Sequence, residues 1–301
     1  MFEAAVLAQI LWTSLATSCY MVLFTIAFAL ILKVVKLWNF AQAGTMAIAF
    51  YAMYAAVNQF RWHTIAAFAF ALAVTLVATL ALELYGFRTL RARRSSSLLF
   101  FIFTLVCSEF AAYALTLIFG TEPMPLFEQI LSPVHFVAGI AVSDWDLLAV
   151  CVTVGLAVAL ALYMRYSADG RCLVAVSDNA DLAELYGISA KRAYLVAFVI
   201  ASVFVCAGMY LYGTRTAVIP TAPLQLMLFA VIATLLGGMG SVPGAAVAAV
   251  VLSLIQSYSI LVVPSKWQGM IVYVFLFVTI LFFPGGVRPM LLLRRLVAGR
   301  G

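Results

Sequence analysis

Two carboxyl groups stand where a membrane makes them costly. Glu109 lies inside the apolar run at about 97–119 and Glu83 near the end of the run at about 64–86. An ionisable group at membrane depth is poorly solvated and faces a cavity or a partner. For Glu109 two readings stand: it lines a solute pathway, or it is a structural carboxyl, protonated or hydrogen-bonded, turned toward a second subunit. Glu83 is placed to reach Arg88 or water. Two small-residue stretches offer a different chemistry. Asn39-Phe40-Ala41-Gln42-Ala43-Gly44 follows Lys33 and Lys36, and Gly237-Gly238-Met239-Gly240-Ser241-Val242-Pro243-Gly244 follows a short apolar segment. Irregular backbone, one break in each half, can turn helix dipoles toward a solute. Close helix packing through small residues explains the glycines equally well. On the pathway reading the residues are Asn39, Phe40, Gln42, Gly44, Glu109, Gly237, Gly238, Gly240 and Ser241.

Covalent chemistry is not encoded in the same way. The chain lacks G-x-x-x-x-G-K-[ST], the loop that cradles nucleotide phosphates, so no ATP site is expected on it. Gly238-Met239-Gly240 is not a dinucleotide fingerprint, because Pro243 stands where the third glycine would be. His63 and His135 are distant in sequence, and Cys19, Cys107, Cys151, Cys172 and Cys206 lack ligand spacing or a disulfide framework, so no metal site is expected. No nucleophile and base stand together as an enzyme would need. The expectation is transport, not catalysis.

The elements that position these residues follow from composition. Of 301 residues, 66% are hydrophobic and 9% charged, whereas a soluble domain carries roughly 25% charge. Apolar segments fall at about 5–32, 38–59, 64–86, 97–119, 145–167, 194–213, 225–237, 244–263 and 268–284. The fold class expected is all-α: one polytopic membrane domain over 1–301 with eight or nine transmembrane helices, some broken or re-entrant. The stretch 225–237 is short for a span and is followed by the glycines. The opening Met1-Phe2-Glu3 has no basic region or cleavage site and reads as a retained first helix. Trp62, Trp145, Trp267, Tyr51 and Tyr54 read as interface anchors.

Charge sets the orientation. Arg88, Arg91, Arg93 and Arg94 form one cluster; Arg165, Arg171, Lys191 and Arg192 frame a second; Arg288, Arg294, Arg295 and Arg300 form a third. Cytoplasmic loops retain Lys and Arg, which puts all three and the C-terminus inside. The loop at about 120–144, read as carrying Glu122, Glu128, Asp144 and Asp146 but no Lys or Arg, goes outside. The net charge of +6 is spread over these loops, so it points to the lipid bilayer rather than to nucleic acid.

The most polar stretch, 168–193, suits a short helix on the cytoplasmic surface. Asp178 and Asn179 can start it, Asp181 and Glu184 sit in its early turns, and Gly187 can end it. Leu182, Ala183, Leu185 and Tyr186 then form an apolar patch fitted to a groove on a soluble partner; an ordinary solvated loop is the other reading.

From Asn39-Phe40-Ala41-Gln42, through Phe119-Gly120-Thr121-Glu122-Pro123 and Gly170-Arg171, to Leu236 through Ala245, Pro264-Ser265-Lys266-Trp267 and Phe283 through Val287, the sequence resembles the permeases of branched-chain amino-acid ABC importers, the LivH type. The resemblance covers nearly the whole chain. It implies a pore formed with a second related permease, two cytoplasmic ATPase subunits that carry ATP and Mg, and a periplasmic solute-binding protein. It also implies that Gly170, Arg171, Asp178, Asp181, Leu182, Glu184, Leu185 and Gly187 couple the chain to an ATPase. Cargo across this wider family includes other amino acids, amides, urea and aromatic acids. Here Ala43 is inserted before Gly44, and Glu109 stands where relatives are usually uncharged. An ion-driven transporter or channel using Glu109 or Glu83 is the competing expectation.

Overall fold

Over an apolar run in lipid the backbone N–H and C=O groups have only each other, so the run becomes helix. The computed structural model of the chain describes residues 4–127, 133–137 and 140–259, with single positions between 267 and 281. In order the elements are α1 (Ala4–Val35), α2 (Ala41–Tyr54), α3 (Thr64–Ala81), α4 (Arg88–Ala92), α5 (Ser97–Phe119), β1 (Val134–Val137), β2 (Ile140–Ser143), α6 (Asp144–Tyr166), α7 (Ala168–Asp178), α8 (Ala180–Leu185), α9 (Ala190–Gly213), α10 (Ala222–Gly237) and α11 (Val242–Ser259). A π turn at Ala55–Gln59 extends α2, and another at Leu82–Phe87 joins α3 to α4.

Six helical segments are long and apolar enough to cross a membrane: Leu7–Val35, Thr64–Ala92, Ser97–Phe119, Asp144–Tyr166, Ala190–Gly213 and Val242–Ser259. The 16-residue α10 and the extended α2 are two further apolar helices. The expected segments therefore appear as helices up to residue 259. The expected segment 268–284 falls mostly outside the described residues, as do Glu128, Pro264 to Lys266, Phe283 to Val287 and the basic residues from Arg288 onward. One element was not anticipated: β1 and β2 pair antiparallel in the 120–144 loop, Val134 opposite Ser143 and Val137 opposite Ile140.

Burial sorts the helices into a centre and a rim. α1, α2, α9 and α10 are buried over much of their surface, whereas α3, α5, α6 and α11 each bury a single face. On α3 and α5 that face carries small or hydroxyl residues one turn apart: Ala67, Ala71, Thr75 and Thr79 on α3, and Thr104, Ser108 and Ala112 after Phe100 on α5. Small side chains let helices approach closely where lipid supplies no hydrophobic drive. Several buried hydroxyls are satisfied inside their own helix: Thr25 Oγ1 donates to Met21 O at 2.7 Å, Thr75 Oγ1 to Ala71 O at 2.7 Å and Thr234 Oγ1 to Ala230 O at 2.8 Å.

Long-range contacts separate two ends. At one, Lys36 Nζ donates to Asp178 O at 3.3 Å and the Arg91 guanidinium lies 4.7 Å over the Tyr194 ring. At the other, Gln9 Nε2 donates to Ala141 O at 3.1 Å, Trp12 Nε1 to Asp146 Oδ2 at 3.1 Å, and Tyr258 Oη to Leu7 O at 3.2 Å. Among the described residues, the basic clusters at 88–94 and 165–192 lie at the first end and the acidic loop at the second, as the charge pattern predicts for these two clusters. Asp146 is not a loop charge. It is buried at the start of α6 in a capping box with Ser143, and it also meets Arg215 at 3.5 Å.

Two sequence assignments change. Tyr51 is no interface anchor: it is fully buried, and its hydroxyl donates to Val218 O at 3.0 Å. Val218 and Met124 also pair backbone to backbone at 2.9 and 3.0 Å, so two extended segments satisfy each other inside the bundle. Trp145 is likewise buried, with its indole N–H on Thr214 Oγ1 at 2.7 Å. Trp62, by contrast, is 46% exposed.

Glu83 finds Arg91 rather than Arg88. The π turn rotates the helix so that Glu83, 3% exposed, forms an ion pair with the Arg91 guanidinium eight residues on. Arg91→Ala leaves that carboxyl buried without a cation, and removing one partner of a buried pair costs about 3–5 kcal/mol. Thermal unfolding in detergent is expected to fall accordingly for Arg91→Ala, and less for the double variant Glu83→Gln/Arg91→Ala, which strands no charge.

Candidate functional site

The polar surface segment folds as two helices, α7 and α8, where one was expected. Ser167 caps α7, its hydroxyl accepting from Gly170 N at 2.8 Å. Asn179, not Asp178, caps α8: its Oδ1 accepts from Leu182 N at 3.0 Å, while Asp178 is the last residue of α7. The reason is geometric. Asn179 has the extended backbone of an N-cap (φ −151°, ψ 107°), and Asp178 is still helical. Gly187 ends the unit at φ +81°, the left-handed region that glycine enters without strain.

α7 is held against the bundle. Gly170 sits against the Tyr163 carbonyl, Leu173 and Val176 are fully buried, and Asp169 meets Arg192 of α9 at 3.1 Å. Arg171 points out and donates to Tyr166 O at 2.9 Å. Lys36 fastens the α7–α8 junction to the end of α1. α8 turns Ala183 inward and leaves Leu182, Leu185 and Tyr186 at 50%, 85% and 80% exposed. These positions, i, i+3 and i+4, share one side of the helix. Asp181 and Glu184 flank them in solvent. The hairpin is thus anchored below and apolar on top.

The Asn39 stretch is buried instead of open. Asn39 and Gln42 are 4% and 2% exposed and line a void of about 10 Å³ with Thr45, Thr79 and Ser202. Gln42 Nε2 donates to Phe24 O at 3.4 Å. Among the described residues Asn39 Oδ1, Gln42 Oε1 and Thr79 Oγ1 have no partner. Phe40 packs edge-on to Phe101 at 5.2 Å. Gly44 meets α5, where an added Cβ would come within 3.0 Å of Ala111 Cβ and 3.1 Å of Ser108 Cα.

On the other side of that α2–α5 contact lies a cavity of about 340 Å³. Glu109 and Ser108 of α5 form one wall, Gln225 and Leu228 of α10 with Thr221 just before it another, and Ala43 lines it too. Among the described residues Glu109, half-buried, is the only charged one lining it. The glycine stretch lies elsewhere. It is the tight connection between α10 and α11, with Gly238 at φ +95° and Ser241 Oγ accepting from Gly244 N at 3.1 Å, so it joins two helices rather than breaking one. Gly237, Gly238, Gly240 and Ser241 line neither of these spaces. Sequence reading missed Ser108, Thr221, Gln225 and Asp169; Pro220 and Pro223, which flank a helix start, were the available signal for the second and third.

Known proteins agree with this architecture. LivH, a high-affinity branched-chain amino acid transport system permease protein of Escherichia coli, is 28% identical over 130 residues, 43% of this chain and 42% of LivH's own length. BraD, the corresponding permease protein of Pseudomonas aeruginosa, is 24% identical over 280 residues, covering 88% of this chain and 90% of BraD. A chain in the solved structure of PsaBC from Streptococcus pneumoniae in complex with Fab superposes with a TM-score of 0.51 at 13% identity, over 94% of this chain and 95% of that one, a likeness of fold alone. The family described as branched-chain amino acid transport system / permease component matches residues 10–281, and the chain belongs to it.

Proposed function

We propose that this chain is the membrane-spanning permease subunit of an ATP-driven importer for branched-chain or other hydrophobic amino acids, or a related small polar organic solute. The carrying observation is the anchored α7–α8 hairpin with Leu182, Leu185 and Tyr186 exposed on it. An apolar stripe on a surface helix between two spans is a docking face, and its anchorage to α1 and α9 gives a partner's movement a route into the central helices. The family names of the relatives support the same reading.

In this assembly a second related permease completes the pore, two cytoplasmic ATPases carry ATP and Mg, and a periplasmic protein delivers the solute. This chain binds no nucleotide itself. It sits in a bacterial inner membrane as one domain, with the α7–α8 end and the C-terminus cytoplasmic. The pathway runs beside α2, α5 and α10, past Glu109. The test is purification and reconstitution: the chain is expected to co-purify with a second permease and two ATPases, and uptake is expected to require ATP. Uptake by this chain alone under a proton gradient would overturn the proposal.

A further inference from the structure

We propose that the cavity between α5 and α10 receives the positively charged head group of a solute, a primary or substituted ammonium, with the Glu109 carboxyl as its counter-group. The inference rests on reading the chain as a solute permease. The walls have the size and composition such a group needs. A volume of about 340 Å³ lies within the range of small-molecule sites, roughly 300–1,000 Å³. Ser108, Thr221, Gln225 and Tyr273 supply hydrogen-bonding groups, and Ala43, Ala112, Pro220, Pro223, Leu224 and Leu228 supply apolar surface.

Charge decides the class. Among the described residues the lining holds one carboxyl and no Lys, Arg or His, and the four ion pairs among them leave Glu109 out. Glu109 stands at the middle of the 23-residue α5, where a carboxyl is expensive unless a cavity or cation accompanies it. Structural carboxyls elsewhere in the bundle look different: Glu83 is held by Arg91, and Asp146 by Ser143, Trp12 and Arg215. Glu109 instead opens onto a space large enough for an organic cation with an apolar body. An anionic solute would meet the carboxyl with no compensating cation among the described residues of these walls.

The test needs neither ATP nor uptake. Leu228→Cys places a thiol in the cavity of the full chain, in membranes with whatever subunits it binds. Labelling at that position by the cationic 2-aminoethyl and the anionic 2-sulfonatoethyl methanethiosulfonates is followed by mass spectrometry, each rate divided by that for a free thiol in solution. The cationic reagent is expected to be favoured about tenfold, as a nearby carboxylate in a partly dry site dictates. Glu109→Gln should erase that preference, and Glu109→Asp should keep it. Isopentylamine should slow the labelling and isovalerate should not. A charge preference indifferent to Glu109→Gln, equal protection by the two probes, or no labelling by either reagent overturns the proposal. A preference that follows Glu109 in a chain lacking ATPase partners would spare the cavity and remove the importer reading; ATP-dependent uptake with a charge-blind cavity would do the reverse.

Discussion

Leu185→Asp is expected to reduce ATP-driven uptake at least about tenfold while the chain still folds and inserts, since interface anchors cost 2 kcal/mol or more when lost and 1.4 kcal/mol is tenfold. Folding is spared because Leu185 is 85% exposed and touches nothing that the bundle needs. Surface substitutions of that kind change stability by about 0.5 kcal/mol or less. Docking is lost because a carboxyl group pressed into an apolar groove forfeits its water without gaining a partner. Leu182→Asp, three residues earlier on the same side, should act alike, whereas Glu184→Gln on the flank should change little. Co-purification of the ATPases and uptake in proteoliposomes provide the two readouts. Wild-type uptake by Leu185→Asp, with the ATPases still bound, would show that α8 is a solvated surface and that coupling enters elsewhere.

The span positions and the charge segregation were legible in the sequence because both follow from local composition: an apolar run must be helical in lipid, and loops keep their Lys and Arg on one side. The apolar top of α8 was legible for the same reason. What was not legible depends on contacts far apart in sequence. Tyr51 and Trp145 look like interfacial aromatics until Val218 and Thr214 arrive to take their polar atoms inside the bundle. That Asn39 and Gln42 are buried could not be read either, because α3 and α9, distant in sequence, close over them. The partner of Glu83 could not be read because a π turn shifts the helical phase between positions 83 and 91. The cavity of Glu109 needs α10 to begin against α5, more than 100 residues away in sequence. One missed signal was present all along: hydroxyl and small residues every fourth position on α3 and α5 mark the packed face.

The glycines between α10 and α11 separate packing from passage, and three alanine substitutions distinguish them. Gly237 faces Gly244 so closely that an added Cβ would overlap the carbonyl of Gly244 and the amide nitrogen of Ala245. Those are backbone atoms of the next helix, and no side-chain rotamer relieves the clash. Overpacking of this kind costs typically 1–3 kcal/mol and more when backbone must move, so Gly237→Ala is expected to lose about 3 kcal/mol, read as a fall in thermal unfolding in detergent. Gly238→Ala meets no atom within 4 Å but must hold φ +95°, a conformation that penalises any Cβ by about 1–2 kcal/mol. Gly240→Ala meets no neighbour within 4 Å and has no such φ, so its stability should stay within about 0.5 kcal/mol of wild type. The ordering is set by where Cβ would go, not by what the residues might bind. If Gly240→Ala keeps its stability but loses uptake, the turn has a transport role beyond packing. If uptake across the three variants falls only in step with stability, the glycines act by letting α10 and α11 meet, and the search for solute contacts narrows to the walls around Glu109.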